Sequence, residues 1–245
     1  MITARHPARP ALTRRGLAAA GLGMAMLGAA TQAGAEDFTP PQGCTAFLAV
    51  QTRACTVSHH YTCADSPGDL WRMDFDEQGA FYLGLIDAEA QWIESRSLPS
   101  GTTTRTLFPA RDAASVSTLL STGYDDWDFD EIRGGERTRV TGFDRLTGGT
   151  EVIDGETLLG TEFETRYYTE GGTLISTITG REYVSATHRR FFSGIRTWRS
   201  GDQEDTTDSS PAEFLYPGDP GFASTQPRHN CGPMLSALPL AEDHA

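Results

Sequence analysis

The chain of 245 residues has no lysine and a single asparagine, Asn230. Among its four cysteines there is no C-x₂-C pair. It also lacks a second long apolar run after its first 35 residues, a repeat of 20–50 residues, and a G-x-S-x-G elbow. The missing lysine and near-missing asparagine read as the composition of a GC-rich bacterial genome, not as mechanism. Without C-x₂-C there is no thioredoxin-type redox motif and no close chelating pair of the kind zinc sites use. The gaps between cysteines are 10, 7 and 167 residues. Without G-x-S-x-G, Ser185 near His188 and Ser193 in FFSG have no nucleophile-elbow context. Positive charge is scarce: 20 arginines stand against 33 acidic residues. That balance argues against nucleic acid and anionic membrane surfaces as partners.

The first 35 residues carry Arg5, Arg9, Arg14 and Arg15 and no acidic residue. An apolar stretch of 14 residues, Leu17–Ala30, follows, shorter than the ~20 a membrane-spanning helix needs. Ala33-Gly34-Ala35 has the small-x-small form of a signal-peptidase site. Residues 1–35 are therefore expected to be an export signal, leaving Glu36 first in the mature chain. TRRGLAA, with Arg14 and Arg15, resembles the bacterial twin-arginine signal, although Ala18 and Ala19 depart from its usual residues. Removal of the leader leaves 16 arginines against 33 acidic residues, a formal charge of −17. The expected location is periplasmic or secreted, with no stable membrane insertion after cleavage.

In the remaining sequence, short alternating runs are separated by glycine-bearing turns, the pattern of antiparallel β structure. Strands are predicted at 45–51, 55–63, 69–76, 80–86, 90–97 and 103–108. A helix is predicted near 112–122, with Asp112 as N-cap, Val116, Leu119 and Leu120 on one face, and Gly123 at C′. Further strands are predicted near 125–132, 136–146, 150–154, 157–168, 173–179 and 181–199. In LLGTEFETRYY, Leu159, Thr161, Phe163, Thr165 and Tyr167 share one face, and Glu162, Glu164 and Arg166 the other. The fold class is all-β with one short helix: an antiparallel meander of about ten strands forming a barrel or a strongly curved open sheet. An extended lead-in is expected over 36–43, and the β domain over 44–200. Residues 201–245 are expected to be an acidic loop, Gly201–Ser210, and a Pro/Gly-rich C-terminal strap. The strand–helix–strand order resembles the periplasmic lipoprotein carriers of the Lol type, whose curved sheet and helical lid bind acyl chains. A lipocalin-like closed barrel fits the same order.

The stretch CTVSHHYTC places His59 and His60 between Cys55 and Cys63. As one strand, its two histidines point to opposite faces and cannot chelate together. Its cysteines stand roughly 26 Å apart, far beyond the ~7 Å a disulfide spans. Four cysteines in an exported chain imply two disulfides, with three connectivities open. A hairpin turning at Arg53-Ala54 sets Cys44 opposite Cys63 and leaves Cys55 for Cys231. Arg-Ala is poor chemistry for a two-residue turn, and a longer loop shifts the register, so Cys44–Cys55 with Cys63–Cys231 stays open. The alternation puts His59 inward and His60 outward.

The remaining candidates are weaker. Asp126, Asp128 and Asp130 have the spacing of a calcium loop without its glycine, and on a strand they form a solvated face with Trp127 and Phe129 inward. Glu162 and Glu164 share a face, but Arg166 follows on that face and Arg181 begins a neighbouring strand, so charge pairing accounts for them. The aromatic residues repeat through the sheet as core, or as the wall of a ligand concavity. No cofactor is implied. The sequence favours a non-catalytic module that binds an apolar small ligand or a periplasmic protein. The alternative is a hydrolase or metal-dependent enzyme in which His59, His188 and His229 converge beside a carboxylate.

Overall fold

The computed structural model describes residues 37–232. The leader positions Arg14, Arg15, Ala33 and Ala35 lie outside the described residues. Cys44–Thr52 (β1) and Thr56–Cys63 (β2) form the first hairpin. Leu70–Asp76 (β3), Gly79–Ile86 (β4), Trp92–Ser97 (β5) and Thr103–Asp112 (β6) follow, then the helix Val116–Thr122 (α1). The second half comprises Tyr124–Arg133 (β7), Glu136–Ile153 (β8), Glu156–Thr169 (β9), Leu174–Ser185 (β10) and Arg190–Ser200 (β11). Gln203–Asp208 (β12) and Pro211–Leu215 (β13) end the set. All 13 strands belong to one antiparallel sheet, in which each strand from β1 to β12 pairs with its chain neighbours and β13 returns to β1. The fold is the expected meander with one helix, three strands larger than the ten foreseen.

Several boundaries differ from the sequence reading, each for a local reason. The helix starts at Val116, and its N-cap is Ser115, whose hydroxyl accepts from the Thr118 N–H. Asp112 instead ends β6, while Gly123 takes the left-handed C-cap with φ 86°, as foreseen. The runs 136–146 and 150–154 are one long strand, β8, with a register irregularity between Leu146 and Thr150. The run 181–199 is broken between Ser185 and Arg190, where Arg189 has φ 47°. The acidic stretch read as a loop forms β12, an edge strand tied to β11 by Arg199–Glu204 and by Thr197–Thr206. Charge suits such an edge because it deters pairing with another chain.

The sheet is strongly curved. β1 and β9 are eight positions apart in the order, which in a flat sheet would be about 38 Å. Yet Leu48 and Val50 of β1 share one hydrophobic cluster with Leu158 of β9, Phe192 of β11 and Phe214 of β13. The ladder itself is not closed, since β12 and β13 are its two edges. These edges are consecutive in the chain, and the link between them is bonded on both sides. Ser209 N–H donates to the Gly194 carbonyl of β11, and Arg53 N–H donates to the Ser210 carbonyl. At the α1 end, Val116 and Leu119 pack with Ala90 and Val184 against Ile86, Leu146, Leu159 and Phe191. The helix therefore plugs one end of the curve.

Both disulfides follow the hairpin register: Cys44–Cys63 and Cys55–Cys231. Two disulfides suit an oxidising, extracytoplasmic compartment. Among the described residues no helix is long and apolar enough to cross a membrane.

Candidate functional site

The histidine pair shows how the sheet distributes its two faces. The β1–β2 loop has three residues, Arg53–Cys55, with Cys55 at φ 53°, so Thr52 pairs with Thr56. A bulge at Phe47 restores Cys44 opposite Cys63, and between these points the register is slipped by one. Leu48 then faces His60, and Val50 faces Ser58. A one-residue slip moves every side chain to the other face. The expectation of His59 inward and His60 outward is therefore reversed: His60 lies on the concave side with Leu48, Val50 and Phe192.

His59 is nonetheless fully buried, because the convex face here is covered. Phe38 of the lead-in stacks on it at 4.4 Å, and its Nε2–H donates to the Ser224 carbonyl of the C-terminal strap at 3.0 Å. Burial lowers its pKa to about 4, with the Ser224 bond opposing. Trp71, Met73, Phe75, Tyr61 and Leu83 pack beneath the same cover. The strap is pinned by Gln51, which donates to the Gln226 carbonyl and accepts from the Arg228 N–H.

On β2 and β3 the polar phase therefore faces the concavity. Arg72 of β3 lies over the Tyr82 ring at 4.9 Å, and its Nε is 3.1 Å from Asp74 Oδ1. From the opposite wall, Glu182 of β10 is within electrostatic reach of Arg72, although seven strand positions separate them in the ladder. Arg190, at the start of β11, faces Arg72 and Asp74 in the same way.

Between these walls is a cavity of about 580 Å³. Its apolar surface includes Trp127 and Phe129 of β7 and Phe163 and Tyr167 of β9. The alternation in YDDWDFDEI and LLGTEFETRYY therefore assigned these aromatics correctly. Trp127 lies directly over Gly142 of β8. A Cβ there would stand 2.2 Å from the Glu164 carbonyl oxygen and 2.6 Å from Trp127 Cζ2. Gly180 similarly makes room for the Phe163 ring. These glycines let large rings lie flat against the wall.

The polar surface of the cavity is charged. Arg72, Arg133, Arg190 and Arg196 line it, together with Glu94, Glu131, Asp144 and Glu182. Asp144 and Glu182 are close enough to repel one another as carboxylates. Burial raises both above the usual carboxylate range, and the charge of Glu182 raises Asp144 further. Burial pushes Glu131 up to about 7, with Arg133 opposing. Burial and then the neighbouring Arg72 push Arg190 down to about 9, so it remains a cation at neutral pH. Burial, with Arg190 and Arg72, holds His60 well below its ordinary value and therefore neutral.

Three residues of the wall carry buried polar atoms without a hydrogen-bond partner: Trp127 Nε1, Asp144 Oδ1, and Arg190 Nε and Nη1. Arg190 is only 3% exposed, and Trp127 and Asp144 are 6% exposed. Native interiors rarely leave such groups unpaired except where a ligand or function needs them.

The sequence-derived histidines do not meet in this cavity. His188 lies in the β10–β11 connection, where its Nε2 is 3.2 Å from Tyr216 Oη. The Tyr216 hydroxyl donates to Glu156, so His188 Nε2–H is the donor to the tyrosine oxygen. Burial lowers the His188 pKa, with Glu156 opposing. His229 is on the strap, 3.4 Å from Glu213. His59, His188 and His229 thus sit in three separate environments, and the converging cluster expected of them is not formed.

The acidic strand also differs in detail. Asp128 and Asp130 face outward but are held by arginines, Asp128 by Arg111 and Arg139, and Asp130 by Arg111 and Arg137. The Arg139 hydrogen bond lowers Asp128 to about 2. Glu162 pairs with Arg145 across β8–β9, and Glu164 pairs with Arg166 on its own strand. Arg181, foreseen as a partner, makes neither ion pair. Cys55, Glu77 and Cys231 cluster within 4.8 Å, but the two sulfurs are joined to each other.

The charged cavity went unread because only part of it carries a signal. Asp144 and Glu182 occupy the inward phase of Val140-Gly142-Asp144-Leu146 and Ile178-Gly180-Glu182-Val184. A charge in an apolar phase marks a functional candidate. Arg72 gave no such mark, since its own phase looked solvent-facing. Compared with protein-family models, with curated proteins and with solved structures, the chain finds no match.

Proposed function

We propose that this is a periplasmic or secreted bacterial protein that binds a small amphipathic molecule within the concavity of its sheet. A cavity of about 580 Å³ has the size of sites that enclose small organic ligands. The observation that carries the reading is the set of unpaired buried polar atoms on Trp127, Asp144 and Arg190, all residues of the cavity wall. The aromatic residues supply contact area, and the charged groups fix orientation. The ligand is therefore not purely apolar, as the sequence alone favoured, but has an apolar body and a polar end. The leader supports export, and the two disulfides support an oxidising destination.

Native mass spectrometry of the mature protein purified from its own host tests this. The expected result is a retained adduct on the order of a few hundred daltons, lost on Thr165→Trp, which fills the cavity from β9. An adduct equally retained by folded Thr165→Trp would place binding elsewhere and overturn the proposal. So would a wild-type protein that carries no adduct and is not thermally stabilised by any member of a small-molecule library.

A further inference from the structure

We propose that the cavity selects organic anions, with the acidic group of the ligand seated against Arg190 and its planar apolar body against Trp127 and Phe163. This rests on the binding reading above and adds the chemical class of the ligand. The charge inventory of the wall is its basis. Of the four guanidinium groups lining the cavity, Arg72 is taken by Asp74 at 3.1 Å. Among the carboxylates, Glu94 is held by Arg105 from the neighbouring strand at 2.6 Å. Burial raises both Asp144 and Glu182, and their mutual repulsion works against both being ionised. Glu131 is close to half-protonated at neutral pH. These raised carboxyls weaken the negative side of a wall that carries four guanidinium groups and four carboxyls, although the mature chain as a whole has an excess of acidic residues.

Among these four guanidinium groups, Arg190 is the one with unpaired buried nitrogens. Its Nε and Nη1 have no acceptor, it is 3% exposed, and its charged neighbours are a second guanidinium, Arg72, and Asp74, which Arg72 already holds. A buried cation of this kind is satisfied by a carboxylate, sulfonate or phosphate oxygen, which forms charge-assisted hydrogen bonds of the strong class. A cationic ligand would have to face Arg190, Arg196 and Arg72. The unpaired Trp127 indole N–H is a second donor in the same wall and also suits an acceptor-rich ligand end.

The test uses three probes of nearly the same shape: naphthalene-1-sulfonate, the neutral naphthalene-1-sulfonamide, and 1-naphthylmethylammonium. Affinities are measured by calorimetry and by quenching of tryptophan emission on the mature, oxidised protein. The expected order is sulfonate tightest, by at least about tenfold over the sulfonamide, and the ammonium weakest. Arg190→Met should abolish the sulfonate preference, bringing sulfonate and sulfonamide affinities to within about twofold of each other. If Arg190→Met does not fold, the wild-type comparison of the three probes decides alone. Equal binding of sulfonate and sulfonamide would overturn anion selection while leaving the cavity as a binding site. Tightest binding by the ammonium would also overturn it, assigning selectivity to Asp144 and Glu182. Failure of all three, with no response to Thr165→Trp, would remove the binding reading and this inference with it.

Discussion

Replacing Arg190 with methionine should make the protein more stable, not less. Arg190 is 3% exposed and lies beside Arg72, with two guanidinium nitrogens lacking an acceptor. Burial holds its pKa at about 9 against an ordinary 12.5. That difference corresponds to on the order of 5 kcal/mol against the cation in the folded state. Attraction from Asp74 is already contained in that figure. Local relaxation around the charge reduces what the substitution recovers, while methionine keeps the packing of the aliphatic stem. The expected net gain is about 2 kcal/mol, in the range seen when buried charge is replaced by apolar side chains. For a domain of this size that is a rise in Tm of roughly 4–8 °C. Urea unfolding of the oxidised protein at pH 7.5, followed by circular dichroism, measures it, with Arg190→Lys as a control that keeps the charge. A loss of stability of about 1 kcal/mol or more in Arg190→Met would refute the reasoning. It would mean that Asp74 fully compensates the cation, and that the site is structural.

Glu131→Gln should be more stable than wild type at pH 8 by up to about 3 kcal/mol, and the gap should narrow to below about 1 kcal/mol at pH 5. The folded pKa of Glu131 is raised to about 7, so this group favours the folded state below about pH 4.5 and loses that contribution as pH rises through 7. Parallel urea curves at the two pH values check the sign, and a pH-independent difference would contradict it. Phe38→Ala should cost about 3 kcal/mol and uncover His59, whose pKa, read by NMR, should climb from about 4 toward 6.5. An unmoved His59 titration would show that the strap alone keeps it dry. The Cys55→Ser/Cys231→Ser double variant should lose more stability than Cys44→Ser/Cys63→Ser, because its loop spans 176 residues against 19. The chain-entropy limits are about 5 and 3 kcal/mol, and equal losses in non-reducing urea unfolding would rule that account out.

What could be read from the sequence was mainly what period two and glycine turns encode. The aromatic phases of β7 and β9 follow from alternation and the helix stop from Gly123, while the Cys44–Cys63 pairing that the hairpin favoured is reached through a bulge at Phe47 that the sequence did not announce. The reversed histidines mark where that reasoning fails. Alternation separates faces but does not say which face is concave, and a three-residue loop with a bulge at Phe47 decided it. On β2 and β3 the apolar phase faces outward because Phe38 and the strap cover it. The rule that apolar means inward therefore pointed away from Arg72. Arg190 was hidden for another reason: it follows the break at Arg189, inside a run that looked like one continuous strand.

The sequential order of the sheet also dictates the order in which the protein can be assembled. Every ladder from β1 through β12 joins chain neighbours, so each strand has its partner as soon as the next is available. The Cys44–Cys63 bond belongs to the first hairpin and needs only the first strands of the domain. Pairing of β13 with β1 and the bond from Cys55 to Cys231 instead join the beginning of the domain to its end. A chain delivered N-terminus first can thus oxidise its first pair early but must hold Cys55 in reserve until nearly everything else has arrived. Two thiols with only 7 residues between them, Cys55 and Cys63, are committed at opposite ends of that timetable.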